Sequence, residues 1–411
     1  MKYTFNMSLL NDKHILLGIS GSIAAYKAAD LASKLTQAGA QVDVILTAAA
    51  EKFVTPLTFQ SVTGRKAYTD ADLWGGEAHI LHVGLAHQTN LLVIAPCTAN
   101  TLAKLAHGLA DNLLTIAALA ARCPVLLAPA MDVGMYTAPA TQANVSALLA
   151  RGIHFAGPGE GRMASGLTGL GRMLEPAELL GHIRLILGKN GPLAGKRVVI
   201  TAGGTQEPLD PVRVLTNKSS GKQGYALAQA AIDNGAEVIL ISTPTALTLP
   251  IGARLVLVQT ARQMLEAVLG ECSQADALVM AAAVADFRPA QSAQDKLKKR
   301  DGIPQIKLEA TEDILAAVAD QRSRMNRLRC VVGFAAESRD LLRNATEKLK
   351  SKKLDLIVAN DISATDAGFG VDTNRVTLLF ADGHSEPLPL MSKTEVAETV
   401  IARLATMLEK D

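Results

Sequence analysis

Apolar, strand-like runs alternate with helix-like stretches along the chain, and this alternation restricts the folds that are open to it. The first series starts at residue 14 with HILLGIS, VDVILT, LLVIAP and VLLAPA. The second starts at Lys196 with KRVVITAGG, EVILIS, RLVLV, ALVMAAA, CVVGFAAE and LDLIVAND, and a later RVTLLF before ADG predicts an added strand and turn. Strands that are apolar throughout, with helices between them, are typical of parallel sheets covered on both faces. The sequence therefore predicts the α/β class with doubly wound parallel sheets.

The stretch GKNGPLAG, residues 188–195, separates the two series. It directly follows an apolar-periodic helix that ends near Leu187, and Gly and Pro after a helix are typical of a linker. A chain of 411 residues also suits two domains, because a domain usually takes about 100–200 residues. We therefore predict two domains, residues 1–189 and 190–411.

Composition excludes several classes of protein. The 41 Lys and Arg nearly balance the 39 Asp and Glu, and only 3% of residues are aromatic, so we expect no nucleic-acid partner. Cys97, Cys123, Cys272 and Cys330 lie far apart without a Cys-x-x-Cys pair, which predicts reduced thiols in a cytoplasmic protein rather than a zinc site or disulfides. No apolar run approaches the ~20 residues of a membrane helix, so we expect no membrane partner.

The segment GISGSIAAYK, which begins at Gly18, follows a predicted strand and opens a helix. Its small residues let the backbone approach a phosphate, and Ser20, Ser22 and the helix N–H groups can donate to it. The segment does not match G-x-G-x-x-G, and the second strand ends at Thr47 without an acidic residue for a ribose, so NAD is disfavoured. A flavin or nucleotide phosphate site is one interpretation, and a tight turn without a ligand is the other.

The segments GISGSIAAYKAADLASKL, TAAAEKFVTP, AHI, APCTANTLAK and APAMDVGMY occur in this order. Together they resemble the flavin-containing cysteine decarboxylases, in particular the phosphopantothenoylcysteine decarboxylases. The resemblance implies a flavodoxin-like domain with His79 as the active-site base, although a lone histidine is more often structural. It also implies that oxidation of the substrate's cysteinyl thiol at FMN makes the neighbouring carboxylate easy to lose. It implies FMN contacts from Gly18, Ser20, Gly21, Ser22, Thr47, Phe53, Thr98 and Asn100.

Two positions depart from that family's pattern. In PAMDVGMY, Asp132 follows Met131 where the family has the asparagine that holds the substrate carboxylate, and an ionised Asp would repel it unless protonated or turned elsewhere. Thr168 occupies the position of a proton-donating cysteine, and a hydroxyl is a far weaker acid than a thiol with a pKa of about 8.5. Arg172 remains available to pair with an anionic substrate group.

Three polar features follow predicted strands of the second series. Ser219, Ser220, Gly221 and Gly224 precede an amphipathic helix and offer backbone donors to an anion, without the spacing of a Walker A loop; a plain capping loop is the alternative. A basic run, KLKKR, begins at Lys296. The third feature is a pair of lysines four residues apart, which share one face of a predicted helix: Lys348 and Lys352.

The segments TAGGTQEPLDPVR, TNKSSGKQG, AAVADFRP, the basic run, GFAAES and LDLIVANDIS resemble the phosphopantothenate–cysteine ligases across the second half. The resemblance implies a Rossmann-like domain in which the carboxylate of 4'-phosphopantothenate attacks CTP and cysteine then displaces CMP. It implies that Lys296 stabilises developing charge and that Asn217 holds the acyl-cytidylate. It further implies substrate contacts from Ser219, Gly221, Ala281 (by its backbone), Asp286, Phe334, Lys348 and Lys352.

Both halves together match the fused bacterial coenzyme A biosynthesis proteins, and the resemblance implies a homo-oligomer. Mg²⁺ is expected to accompany CTP, with no ligand residues assigned. Two alternatives stay open: an active ligase whose first domain only binds flavin or is structural, and a non-enzymatic regulator that binds flavin or nucleotide. A dehydrogenase is disfavoured because the dinucleotide fingerprint is missing.

Overall fold

The computed structural model describes residues 9–74, 78–299, 303–337, 340–361 and 371–409. The chain divides into two compact units, Met1–Leu187 and Gly188–Asp411. This division falls at the start of the Gly- and Pro-rich stretch that separates the two series of strands. In the ranges just given, no helix is long and apolar enough to cross a bilayer.

The first unit is built on a parallel sheet of six strands flanked by helices. The elements in chain order are β1 (His14–Ile19), α1 (Ala25–Gln37), β2 (Gln41–Leu46), α2 (Pro56–Thr63), β3 (Ala67–Tyr68), α3 (Ala78–Gln88), β4 (Leu91–Cys97), α4 (Ala99–His107), α5 (Leu113–Ala120), β5 (Val125–Pro129), α6 (Val133–Thr137), α7 (Pro139–Ala150), β6 (His154–Phe155), β7 (Gly159–Arg162), β8 (Thr168–Arg172) and α8 (Pro176–Gly188). Strands β7 and β8 form a separate antiparallel hairpin.

The strand order of this sheet is β3-β2-β1-β4-β5-β6. The predicted doubly wound parallel sheet is therefore confirmed. Without the two-residue β3, the remaining strands follow the 2-1-3-4-5 order of flavodoxin, and β3 on the outer side of β2 extends this to the six-strand Rossmann order. The order reverses between β1 and β4.

Both faces of the first sheet are buried, as its uniformly apolar strands require. Along β1, Ile15 and Leu17 belong to the core layer that contains Leu31 of α1. Leu16, which points to the opposite face, belongs to the layer that contains Leu114 of α5. This alternation is the two-residue period of a strand, and burial of two helix layers fixes the register of the strand.

The second unit is built on a mixed sheet of eight strands. Its elements are β9 (Arg197–Ala202), β10 (Gln206–Asp210), β11 (Arg213–Thr216), α9 (Lys222–Asp233), β12 (Glu237–Ser242), β13 (Ala253–Leu257), α10 (Ala261–Cys272), β14 (Ala277–Met280), β15 (Phe287–Pro289), β16 (Leu308–Ala310), α11 (Ile314–Gln321), β17 (Cys330–Glu337), α12 (Leu341–Ser351), β18 (Leu356–Asp361), β19 (Thr373–Asn374), β20 (Val376–Phe380), β21 (Ser385–Pro387), β22 (Met391–Ser392) and α13 (Lys393–Glu409).

The order of the second sheet is β13-β12-β9-β14-β17-β18-β20-β21. Its first six strands are parallel and repeat the Rossmann order, whereas β20 and β21 add an antiparallel edge. The added strand expected from RVTLLF is β20. Two short hairpins, β10–β11 and β15–β16, follow the carboxyl ends of β9 and β14. Both hairpins therefore lie beside the carboxyl edge of the sheet, which is where open α/β proteins bind their ligands.

Candidate functional site

In the first unit, the loops after β1 and β4 meet at the carboxyl edge, where the strand order reverses. The Ser20 hydroxyl donates to the Pro96 carbonyl (2.7 Å) and accepts from the Thr98 N–H (3.0 Å). Ser20 is only 1% exposed, so both of these bonds are shielded from water. Its hydroxyl therefore holds the two loops together, and any donation to a phosphate from this loop comes from its backbone or from the neighbouring residues Gly21 and Ser22.

Gly18 lies inside β1 and not in this loop, and its expected contact with the cofactor stays a prediction. It pairs with Ile45 and Ile94 on the neighbouring strands. A Cβ at this position would collide with the side chain of Leu114 on α5. The glycine is needed for close packing of a helix on the sheet, and a phosphate-binding role is not required to explain it.

The other predicted flavin contacts lie at the ends of β2 and β4. The Thr47 hydroxyl donates to the Ile19 carbonyl (3.3 Å) and accepts from the Ala50 N–H. Phe53 follows that turn with half of its side-chain surface exposed. Thr98 caps α4 by accepting from the Thr101 N–H, and Asn100 is exposed in the first turn.

These features suit an isoalloxazine ring and its phosphate tail. The first turn of α4 has backbone N–H groups without intrahelical partners, which favours a phosphate. Exposed Phe53 offers an apolar surface, and the crevice between the β1 and β4 loops is where doubly wound sheets hold nucleotides. The residues present therefore fit FMN.

Replacing Ser20 by alanine is expected to weaken flavin binding. The change leaves the Thr98 N–H and the Pro96 carbonyl without their buried partner, which costs about 1–3 kcal/mol per unsatisfied group and loosens both loops. We expect the dissociation constant for FMN, measured by fluorescence titration, to rise about tenfold. Ser33→Ala on α1 is the control, and an unchanged FMN affinity in a folded Ser20→Ala protein would contradict this role.

Of the expected catalytic groups of this unit, His79 lies in the first turn of α3, and its side chain falls outside the described residues. Thr168 begins β8 opposite Arg162 and is exposed. The Cys97 thiol at the end of β4 is fully buried, and burial raises its pKa strongly, so it does not replace the missing thiol acid. The Arg172 guanidinium donates to Glu175 (2.7 Å), which also pairs with the buried Lys27.

Asp132 caps α6 and is anchored on both carboxylate oxygens. Oδ1 accepts from the Gly134 N–H (3.0 Å), and Oδ2 accepts from the Ser165 hydroxyl (2.5 Å) in the β7–β8 turn. These bonds, that from Ser165 first, lower the pKa of the Asp132 carboxyl. Asp132 is therefore ionised and turned towards the hairpin, and its neighbour Met131 is held by an N–H bond to the Gly171 carbonyl (3.0 Å).

The second unit contains a cavity of about 520 Å³ at the carboxyl edge of β14 and β17. This volume lies in the range of small-molecule sites, about 300–1,000 Å³. Its lining includes nine of the residues singled out in the sequence: Asn217, Ser219, Ser220, Gly221, Gly224, Ala281, Asp286, Phe334 and Lys348. Residues from distant parts of the sequence thus converge on one site.

Asn217 and the start of α9 form one wall of this cavity. The Asn217 side-chain amide donates to the carbonyls of Val284 (3.1 Å) and Ala283 (3.4 Å) after β14. Gly221 precedes α9 with a φ of 77°, a left-handed conformation that glycine adopts at little cost. This turn aims the amino end of α9 at the cavity.

The opposite wall carries groups suited to a nucleotide. The Lys348 ammonium donates to the Phe334 carbonyl (3.1 Å) within β17. Asp286 is exposed and also belongs to the lining. The Ala281 N–H already donates to the Thr201 hydroxyl (3.1 Å), so its carbonyl is the backbone group left for a ligand.

Lys352 and Lys296 differ from expectation. Lys352 lies just beyond the last turn of α12 and pairs with Asp313 (2.7 Å). Asp313 lines the cavity whereas Lys352 does not, and the expected contact of Lys352 with the nucleotide stays a prediction. Lys296 is exposed in the loop between β15 and β16 and does not belong to the lining. That loop is anchored nearby by a bond from the Leu297 N–H to Asp210 (3.1 Å).

Several lining residues were not anticipated from the sequence. The most distinctive are two lysines, Lys222 at the start of α9 and Lys393 at the start of α13. A basic residue in the first turn of a helix opposes the helix dipole, and this unusual placement is the signal that could have drawn attention to them. Among the residues that the structure describes, no group of three or more His, Cys, Asp or Glu side chains could hold a metal ion.

Comparison with known families agrees with this division of sites. Residues 6–187 match the Flavoprotein family, and residues 193–408 match the DNA/pantothenate metabolism flavoprotein C-terminal domain. The chain is thus a two-part member of the pantothenate-metabolism flavoproteins.

Full-length relatives narrow this class. The coenzyme A biosynthesis bifunctional protein CoaBC of Bacillus subtilis (strain 168) is 47% identical over 97% of this chain and 98% of its own. The CoaBC protein of Vibrio vulnificus (strain CMCP6) is 43% identical over 98% of this chain and 100% of its own. A crystal structure of a CoaBC C-terminal domain is 41% identical, covers 54% of this chain and 100% of its own, and has a TM-score of 0.46. The chain belongs to the CoaBC family, which confirms the predicted resemblance.

Proposed function

We propose that this enzyme carries out two consecutive steps of coenzyme A biosynthesis. Residues 190–411 join 4'-phosphopantothenate to cysteine with CTP, and residues 1–189 decarboxylate the product to 4'-phosphopantetheine. The observation that carries the proposal is the cavity in which Asn217, Asp286 and Lys348 meet in a chain of the CoaBC family.

In the ligase reaction, the phosphopantothenate carboxylate attacks the α-phosphorus of CTP, and pyrophosphate leaves. The cysteine amine then attacks the acyl carbon, and CMP leaves as the amide forms. Lys348 and the Ala281 carbonyl are placed to bind the nucleotide, and Asn217 to hold the acyl-cytidylate. Lys296, on the neighbouring loop, is assigned to the charge that develops during activation, while Mg²⁺ accompanies the triphosphate.

In the decarboxylase reaction, the first unit positions the cysteinyl end of the substrate against FMN. When bound, FMN would accept two electrons from the thiol and return them after carbon dioxide has left, so that the overall reaction is redox-neutral. Thr98, Asn100 and the β1 loop hold the phosphate tail, and His79 is assigned the proton transfer. Arg172, which at the end of β8 pairs with Glu175, is assigned to an anionic group of the substrate.

A second candidate keeps the ligase and leaves the first unit as a flavin-binding scaffold. The observation that favours it is the ionised Asp132 in place of an amide, together with Thr168 in place of a thiol acid. We infer a cytoplasmic location, because Cys97, Cys123 and Cys272 form no disulfide among the described residues. We also infer a homo-oligomer, because the resemblance of both halves to the fused proteins implies one.

The purified full chain tests the assignment of both cofactor and nucleotide. We expect a flavin absorption band near one FMN per chain, and release of pyrophosphate only when CTP and 4'-phosphopantothenate are both present. A colourless protein that cannot be reconstituted with FMN, or CTP that stays intact with phosphopantothenate, would contradict the corresponding half. ATP in place of CTP measures the nucleotide preference.

Replacing Asp132 by asparagine is expected to improve decarboxylation. Asparagine keeps the helix-capping acceptor and removes a charge near the substrate carboxylate, so KM for phosphopantothenoylcysteine should fall about tenfold. Because the wild-type pKa is lowered, the carboxyl stays charged from pH 8 to 6, and acidification in that range should not reproduce the gain. Ser165→Ala is the control, because it retains the charge of Asp132 and should not lower KM. A KM of the Asp132→Asn protein equal to or above the wild-type value would contradict repulsion between Asp132 and the substrate carboxylate.

A further inference from the structure

The ligase cavity contains a buried lysine to which none of the roles above is assigned. Lys393, the first residue of α13, lines the cavity and is only 8% exposed. Among the described residues, its ammonium group makes no hydrogen bond or ion pair, whereas its backbone N–H donates to the Asp372 carbonyl (2.9 Å). A charge on a side chain this little exposed to water is costly without a partner, so an anion bound in the cavity would supply what this group lacks.

The surroundings of Lys393 are built for an anion. Lys222 begins α9 in the same cavity and pairs with the highly exposed Asp372 (2.6 Å). The first turn of this 12-residue helix presents backbone N–H groups that have no intrahelical acceptor. Burial, and then the charge of Lys222, lower the pKa of Lys393 against the opposing effect of Asp372.

Gln223 fixes the two helix starts relative to each other. Its side-chain amide donates to the Lys393 carbonyl (3.2 Å) and accepts from the Asn374 side chain (3.3 Å). Asn374 on β19 is itself only 3% exposed. The positions of Lys393 and of the α9 amino end are therefore held by packed, hydrogen-bonded groups rather than by flexible surface chains.

We propose that Lys393, Lys222 and the first turn of α9 form a subsite for a phosphate group of a ligase substrate. The inference rests on the proposed ligase function and deepens it. Both phosphorylated substrates carry this chemistry: the phosphate monoester of 4'-phosphopantothenate and the triphosphate of CTP. Lys393 is a binding residue in this assignment and takes no part in bond making.

Steady-state kinetics of full-length Lys393→Met test the subsite. Loss of a charged hydrogen bond is expected to raise KM for one phosphorylated substrate about tenfold or more, with Lys393→Arg recovering part of the loss. If KM rises for 4'-phosphopantothenate but not for pantothenate, the subsite binds the phosphate monoester. If KM rises for CTP alone, the subsite binds the triphosphate. Exposed Lys350→Met on α12 is the control. If both KM values of a folded Lys393→Met protein stay within about twofold of wild type, the subsite does not exist.

Chemical labelling of the wild-type chain keeps the test independent of turnover and of the variant's folding. We expect 4'-phosphopantothenate, CTP or inorganic pyrophosphate to protect Lys393 from acetic anhydride, as read by mass spectrometry, while pantothenate does not. Protection in a chain that forms no amide would refute the ligase function and leave the subsite standing. Amide formation without protection of Lys393 by any phosphate compound would refute the subsite alone.

Discussion

Asn217→Ala is expected to lower amide formation about 100-fold while pyrophosphate release from CTP continues. Its side-chain amide bridges the α9 loop to the Ala283 and Val284 carbonyls. Alanine removes that bridge, so the acyl-cytidylate is no longer held in line for the cysteine amine. Removal of one such positioned donor typically costs about 10²–10³ in rate.

The measurement compares pyrophosphate with phosphopantothenoylcysteine in the same reaction. Asn217→Asp is the matched variant, because it keeps the size of the side chain and replaces the amide donor by a carboxylate that can only accept. We expect it to behave like Asn217→Ala, with free phosphopantothenate and CMP formed by hydrolysis of the intermediate. An equal loss of both products would place Asn217 in the activation step instead.

The second large effect is expected at Lys348, where methionine should raise KM for CTP about 10–100-fold. The ammonium is held by the Phe334 carbonyl at the cavity wall (3.1 Å), so its charge is already positioned for a nucleotide phosphate. Hydrogen bonds to charged groups contribute about 1.5–3 kcal/mol, which sets this range.

Lys350→Met on the same helix provides the control for Lys348, since Lys350 is exposed and lies outside the cavity lining. It should leave KM for CTP and for 4'-phosphopantothenate unchanged. A Lys348→Met protein with normal KM for CTP but a raised KM for 4'-phosphopantothenate would reverse the assignment of this cavity wall.

Much of the architecture could be predicted because parallel strands share one carboxyl edge. Uniformly apolar runs identify the strands, and the polar segments that follow these runs are therefore expected at the carboxyl edge of the sheet. Ser219 follows β11, Ala281 follows β14 and Phe334 lies within β17, and the topology brings all three to one cavity.

Properties that depend on pairing between distant residues could not be predicted. Gly18 looks like part of a glycine loop, but its packing partner Leu114 is far along the chain. Lys352 is four residues from Lys348, but α12 already ends at Ser351. The Lys352 ammonium instead forms an ion pair with Asp313, which precedes α11. Lys393 shows no motif at all, and its burial becomes evident only where α13 meets α9.

Asp132 shows how local geometry answers a question that sequence leaves open. The sequence allows a protonated, a repelling or a diverted carboxyl at this position. The bonds from Ser165 and Gly134 favour the ionised form and turn it to the hairpin. Whether the remaining charge still opposes the substrate is what Asp132→Asn measures.

The most direct test follows carbon dioxide from cysteine labelled at its carboxyl group, with the full chain, FMN, Mg²⁺, CTP and 4'-phosphopantothenate. The account predicts release of labelled carbon dioxide that requires CTP and is matched by pyrophosphate and 4'-phosphopantetheine. Accumulation of phosphopantothenoylcysteine without carbon dioxide, in a protein that carries reducible flavin, would contradict a single chain that performs both steps.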